Sequence, residues 1–589
     1  MAPILARGRE ARATAPAVAR VRPGQPGWPS PAEWDQLRGA VGGRLGELRS
    51  PLTECGGDPA RCADLFKELK NPYFIGDEPG LAQTLGWADA WTFHPSAYAV
   101  AAETSADVAA AINFAREHNL RLVVKGGGHS YLGRSNAPDS LLVWTRRMDA
   151  VTLHDAFVPQ GCGDGAKPQS AVTVGAGAIW GRVYDAVTTR GGRYVQGGGC
   201  LTVGVAGLVQ AGGFGSFSKR FGTAAANLLE AEIVTADGAV RTANACTNPD
   251  LFWALKGGGG GSFGIVTSLT LKTHDLPEYA GGVHATIRAA SGDAYRRLLA
   301  HFAAFAGSLL DPHWGEIVTL RPGNRLEIRI AFHGLEQRQA EALWRPFFDW
   351  AAASPQDYPS QGAPLVIAVP ARHLWDPAFL RAHVPQMILA DDRPSAPESN
   401  VFWAGNLAEA GHYIYAYDSV WLPRRLLQAD NQGALVEALF AASRRRSVEI
   451  HFQKGLAGAS EEAVAATRAT ATNPQVLDAF ALAIIGGEGP PAYPGIAGHE
   501  PDPQAARREA SETAAAMAAL RRVAPGSGSY FAESNYFAPD WQRAYWGDNY
   551  PRLLDIKRKY DPDGLFFAYH GVGSEGWSPD GFEPAPKPN

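Results

Sequence analysis

The sequence has little charge and almost no surplus of either sign: 19% of its 589 residues are charged, and the formal net charge is −5. A chain without a basic field has no electrostatic grip on nucleic acid, so no nucleic-acid partner is expected. Long hydrophobic runs are missing too. No apolar stretch approaches the ~18 residues that crossing a bilayer takes, so no membrane partner is expected either. The first thirty residues carry Arg, Ala and Pro without a continuous apolar segment, and no secretory leader can be read from them. Cysteine is scarce and odd in number, five in all. Cys55 and Cys62 lie in CGGDPARC, a loop short enough to close as a disulfide and equally able to hold two free thiols. Closure would point to an oxidising, secreted or periplasmic setting. Cys162 and Cys246 have no assignment at this stage. No metal site is expected.

What the chain does have is glycine, 66 residues of it, much of it clustered. Its length exceeds what one hydrophobic core supports, so several packed units are expected. Residues 1–70 read as an irregular N-terminal extension rich in Pro and Gly. Residues 71–276 alternate short strands, glycine turns and helices. Thr104 or Ser105 caps a helix with Asp107 in its first turn, and Asp237-Gly238 joins two strands as a hairpin. Residues 277–525 change texture, with longer amphipathic helices between short strands such as EIVTL and RLEIRIAFH. Residues 526–589 form a C-terminal segment returning to the first unit. The class is α+β, with an antiparallel sheet covered by helices in the second unit.

Three glycine-rich segments flank expected strands: KGGGHSYLGRS at 125–135, QGGGCLTVGVAGLVQAGGFGS at 196–216 and LKGGGGGSFGIVTS at 255–268. Loops of this kind bring backbone amides close to a ligand, as a pyrophosphate requires. None supplies the GK[ST] of a phosphate-binding P-loop, and none has the full strand–GxGxxG–helix context of a dinucleotide fingerprint. The sharper signal is that His129 and Cys200 each end a glycine run. A neutral imidazole and a thiolate are both nucleophiles, and glycine neighbours let them approach the edge of a flat ring.

These segments, with NPDLFWALKGGGGGSFGIVTS and YWGDNYPRLLDIKRKYDPDGLF, resemble the berberine bridge enzyme-like flavoproteins of the vanillyl-alcohol oxidase class. The resemblance covers roughly residues 73 to 575, and its flanking pieces are similar to the fungal alcohol-oxidase-like branch. It implies a PCMH-type FAD-binding domain, with FAD attached at its 8α-methyl to His129 and at carbon 6 to Cys200. Backbone around Gly126, Gly127, Gly128 and Ser130 would cradle the pyrophosphate, with Lys125 and Gly133 also among the cofactor-binding residues. Val203, Gly204, Gly207, Gly213, Gly215, Ile265 and Asn549 would line the rest of the groove, and Tyr131 matches a tyrosine near the flavin face. Val203, three residues after the linked cysteine, resembles the small gate residue of oxidases, which implies O2 as acceptor and hydrogen peroxide as product.

The implied reaction is oxidation of an alcohol-type CH–OH group on a small molecule, a carbohydrate among the options. A dehydrogenase using a quinone or protein acceptor, and a flavin carrier without turnover, are the alternatives. A base must take the hydroxyl proton while hydride leaves. Glu488 in GGEG, Tyr536 in the NY pair, and Glu533 are the candidates. Strict alternation along HYIYAYDSVWL would place Tyr413, Tyr415, Tyr417, Ser419 and Trp421 on one face, with Asp418 opposite.

Overall fold

The computed structural model describes residues 18–55, 58–163 and 165–586. Two sheets carry the glycine-rich half. In the first, Tyr98–Ala101, Leu141–Trp144 and Leu122–Lys125 run parallel, with Leu45–Glu47 antiparallel at the edge. The helix Ser105–Glu117 crosses over from Tyr98–Ala101 to Leu122–Lys125, the two strands that flank Leu141–Trp144. It starts where the sequence says: Thr104 accepts from the Asp107 amide, and the Asp107 carboxylate accepts from the Thr104 amide. Its apolar side, Val108, Ile112 and Ala115, packs with Val100, Leu122 and Val143. The second sheet is antiparallel, in the order Val240–Asn244, Leu228–Val234, Ile265–Asp275, Gln169–Gly175, Val151–Phe157, with Arg193–Val195 added on Ile265–Asp275. At its hairpin Gly238 takes φ +76°, a conformation that suits glycine and lets Thr235 and Ala239 bond across the turn.

The expectation of an irregular N-terminal extension is corrected for the described part, residues 18–70. Ser30 caps the helix Pro31–Ala40 through a reciprocal bond pair with Glu33, and Trp34 and Leu37 are buried. Leu45–Glu47 pairs with Tyr98–Ala101, and the Arg20 guanidinium donates to the carbonyls of Gly581 and Gly564. Proline and glycine here mark helix starts and turns, not absence of structure. Residues 1–17 lie outside the described residues.

The third sheet has nine strands, ordered Leu365–Pro370, Tyr279–Arg288, Arg325–His333, Trp314–Arg321, Val448–His451, Ala479–Gly489, His412–Pro423, Thr84–Trp87, Trp91–Thr92. The helices Gly292–Ala306, Gln337–Ala352, Ala429–Ser443 and Pro503–Val523 cover one face, burying Leu298, Phe347, Leu439 and Met517 against strand residues such as Val318, Ile328 and Val420. The last two strands come from the glycine-rich half, so a boundary at residue 276 does not separate the sheets cleanly. Thr84–Trp87 joins in parallel with His412–Pro423; the remaining pairings are antiparallel. The uncovered face of this sheet looks onto the glycine segments.

Both Cys55–Cys62 and Cys162–Cys246 are disulfides, and Cys200 is free. The second bridge closes a separation of 84 residues, which only the folded sheet brings together. No helix among the described residues is long and apolar enough to cross a membrane.

Candidate functional site

A cavity of about 1220 Å³ runs between the three glycine segments and the open face of the large sheet. Pockets for single small ligands typically measure about 300–1,000 Å³, so this one has room for a dinucleotide and a second molecule. Glycine builds its wall by letting backbones touch. A Cβ on Gly127 would stand 2.7 Å from the Gly204 nitrogen, and one on Gly215 would stand 1.8 Å from the Gly197 oxygen. Larger residues at either place would force the segments apart.

His129 and Cys200 both line this cavity, and both reach the same hydroxyl. Thr202 Oγ1 lies 3.2 Å from His129 Nε2 and 3.6 Å from Cys200 Sγ. Burial, helped by nearby His412, pushes the imidazole down to about 4, so His129 is neutral at physiological pH. Burial also pushes the Cys200 thiol up to about 11, with the Glu409 charge adding to it and the Thr202 hydroxyl opposing it. The Trp403 indole donates to the Gly199 carbonyl at 2.9 Å, fixing the loop beside the thiol.

The sheet side of the cavity differs from simple alternation. A β-bulge between Ile414 and Ala416 inserts one residue, which flips the register. Ile414 and Tyr417 therefore share the cavity side, while Tyr415 falls beside Asp502 and Glu509 of the covering helix. Tyr413 packs on Gly86. Of the face expected from Tyr413, Tyr415, Tyr417, Ser419 and Trp421, Tyr417 alone lines the cavity, its ring 5.1 Å from that of Tyr131. Asp418 points to the helices as expected, pairing with Arg521.

A cluster of carboxylates stands around these phenols. Glu409 lines the cavity with Asn406 Nδ2 donating to it at 3.3 Å. Burial raises its carboxyl to about 7, with Glu488 and Glu533 adding to the rise and His412 pulling it back. His412 bonds Glu488 through Nδ1 and the Thr84 hydroxyl through Nε2. Glu533 pairs with the Lys454 ammonium. Burial lifts Tyr131 and Tyr417 well above the usual phenol range, so both keep their protons. Farther out, Glu316 sits at φ +75°, a left-handed backbone that few non-glycine residues adopt. Its carboxylate accepts from Ser216 and Gln453, bridging a glycine segment to the sheet.

The structure brings most of the sequence candidates to this cavity. Lys125, Gly126, Gly127, Gly128, Ser130, Tyr131, Val203, Gly204, Gly207, Gly215, Ile265 and Glu533 all line it. Five candidates stand behind its wall. Gly133 packs on the Trp91 ring, and the Gly213 amide donates to the Tyr530 hydroxyl. Asn549 donates to the Ala471 and Thr472 carbonyls, bracing a loop and not the groove. Glu488 bonds His412 and does not line the cavity. Tyr536 stacks on Tyr569 at 4.2 Å. Lys125 lines the wall, but its ammonium is spent on the Pro79 and Leu81 carbonyls. Sequence reasoning missed Thr202, Glu409, His412, Lys454 and Trp403. Only Thr202 left a trace, two residues beyond Cys200 in the same motif.

These residues fit a flavin dinucleotide. The glycine backbones form a continuous cradle, and two nucleophiles meet at one point of it. Arg134 on the same wall keeps a buried Nη2 with no partner among the described residues, a donor that an anionic or carbonyl ligand would satisfy.

Residues 96–244 match the family described as "FAD binding domain", and residues 529–573 match "Berberine and berberine like". The chain is 31% identical to the VAO-type flavoprotein oxidase VAO615 of Thermothelomyces thermophilus, over 95% of this chain and 94% of that one. It is similar to the crystal structure of the VAO-type flavoprotein MtVAO615 from Myceliophthora thermophila C1, with TM-score 0.77, 26% identity, and coverage of 95% and 98%. Glucooligosaccharide oxidase from Acremonium strictum, described with a 6-S-cysteinyl, 8α-N1-histidyl FAD, shares the fold at TM-score 0.63 and 21% identity, covering 84% and 94%.

Proposed function

The chain belongs to the VAO-type FAD-linked oxidoreductases, and from that premise we propose an oxidase whose FAD is bonded to both His129 and Cys200. The observation that carries this reading is that His129 and Cys200 line one cavity and both reach the hydroxyl of buried Thr202. The doubly linked FAD described for the Acremonium strictum oxidase supports it. The substrate is a small molecule bearing an alcohol-type CH–OH group, and the polar sheet wall with Glu316, Arg329 and His451 suits a hydroxyl-rich one such as a carbohydrate. FAD bound there supplies a two-electron acceptor for substrate hydride and a donor to dioxygen.

The chain's own residues handle the proton and the pose. Glu409, its carboxyl raised to about 7, exchanges its proton near neutral pH and takes the hydroxyl proton. Asn406 holds one of its oxygens. Tyr131 and Tyr417 keep their protons and donate to the substrate oxygen. His412, tied to Glu488 and Thr84, fixes the floor beneath Tyr131, 5.5 Å from its ring. Val203 is a small side chain on the wall beside Cys200 and leaves dioxygen a path. The two disulfides favour an oxidising compartment.

The test is a panel of alcohols and sugars mixed anaerobically with the yellow protein, followed by air. The reading expects bleaching by at least one substrate class and peroxide on reoxidation. Bleaching that only a quinone reverses would make it a dehydrogenase, and no bleaching at all would remove the enzyme reading.

A further inference from the structure

Double attachment needs two nucleophiles in opposite need of help. His129 must present one ring nitrogen with its lone pair free, and Cys200 must lose a proton that burial makes hard to lose. A single hydroxyl stands between them. Thr202 is buried, and Val203, its neighbour, is fixed by its carbonyl accepting from the Trp180 amide at 3.1 Å. On the other side of it the Gly181 amide donates to the Leu201 carbonyl at 2.7 Å. The turn carrying Thr202 is therefore pinned at both neighbours, and its hydroxyl has no side-chain partner among the described residues besides these two.

We propose that Thr202 is the positioning residue for flavin attachment, its hydroxyl accepting from His129 Nε2–H while donating to Cys200 Sγ. This rests on the two-bond reading above and deepens it. The first bond commits Nε2 as the protonated nitrogen, which leaves Nδ1 with the free lone pair for the flavin 8α carbon. The second places a proton donor on sulfur and favours the thiolate that adds at carbon 6, against the pull of burial. One hydroxyl can do both because it accepts and donates at once.

The chemistry balances. Each attachment replaces one flavin C–H bond by a C–N or C–S bond and loses the N–H or S–H bond of the side chain. It thereby releases two protons and two electrons. Dioxygen takes both pairs and becomes hydrogen peroxide, so two bonds consume two molecules of O2. The thiol carries the harder deprotonation, so loss of the Thr202 hydroxyl should fall most heavily on the Cys200 bond.

The experiment compares unaltered protein, Thr202→Val and Thr202→Ser, each purified with its flavin, incubated in air, acid-precipitated and digested. Mass spectrometry then reads flavin on the His129 and Cys200 peptides. Thr202→Val keeps the side-chain shape, and Thr202→Ser keeps the hydroxyl. A hydrogen bond to a charged group should make the Cys200 bond form about tenfold more slowly in Thr202→Val. Thr202→Ser should match the unaltered protein. A purely packing role would instead be met by Val and leave both bonds forming at the ordinary rate, which would overturn the proposal. If Thr202→Val does not fold, Thr202→Ala against Thr202→Ser makes the same comparison. Unaltered protein that releases all its flavin would overturn the two-bond reading itself, a result separable from a normal rate in Thr202→Val.

Discussion

The two walls of the cavity are built on opposite principles. The glycine wall is made of backbone: segments 126–130, 197–204 and 213–215 approach so closely that added Cβ atoms would collide. The sheet wall is made of side chains, charged and aromatic, standing on strands whose helix-covered face holds a conventional apolar core. The first wall carries the cradle for the cofactor and the two residues proposed to bond it. The second is the wall to which the proposed function assigns substrate selection and the proton. A change on the first wall should therefore remove the cofactor, and a change on the second should slow a step while the cofactor stays.

The largest contrast is at the attachment residues. His129→Ala with Cys200→Ala should send all flavin into the acid supernatant, whereas each single change should leave the flavin held by the remaining bond. Denatured double variant that stays yellow in the pellet would break the comparison at its root.

On the opposite wall, Glu409→Gln should keep every flavin and lose about 10²–10⁴ in the rate of anaerobic reduction. The unaltered protein should be reduced faster as pH rises through about 7, because the base proposed at Glu409 acts in its ionised form. The sign follows from the raised carboxyl: activity is lost as pH falls and the base becomes protonated. Stopped-flow reduction across that range checks it, and the Gln variant should show no such rise.

Much of the glycine wall was legible in the sequence because its chemistry is written in runs. His129 and Cys200 end their runs, and close backbone approach leaves glycine as its own trace. Thr202 was in view but had no motive until folding placed its hydroxyl between two side chains 71 residues apart in sequence. The sheet wall was mostly illegible. HYIYAYDSVWL alternates perfectly, and nothing in it announces the bulge that puts Tyr417 in the cavity and Tyr415 out of it. Glu409 lies in AGNLAEAGHY, which has no motif. Its raised carboxyl comes from burial near Glu488 and Glu533, groups about 80 and 120 residues away that only the sheet assembles. The irregular reading of residues 18–70 failed for a related reason: proline and glycine there start helices and turn corners.

Val203 sharpens the contrast from the middle, since it belongs to the glycine wall, beside Cys200, and is the proposed dioxygen gate. Val203→Leu should slow reoxidation by dioxygen severalfold and leave anaerobic reduction nearly unchanged. Equal reoxidation traces in the two proteins would remove it as the gate. The smallest effect is expected at Tyr536, which stacks on Tyr569 behind the wall. Tyr536→Phe keeps that stack and should reduce within a few-fold of the unaltered rate. A hundredfold fall there, with Glu409→Gln near normal, would transfer the base to the phenol.

The central claim is that FAD is bonded to this chain at two points, and one measurement meets it directly. The unaltered protein is precipitated in acid, washed, redissolved and scanned, and its tryptic peptides are weighed. The account predicts a yellow pellet, a colourless supernatant, and flavin mass joining the His129 and Cys200 peptides into one species. A colourless pellet under a yellow supernatant would contradict it.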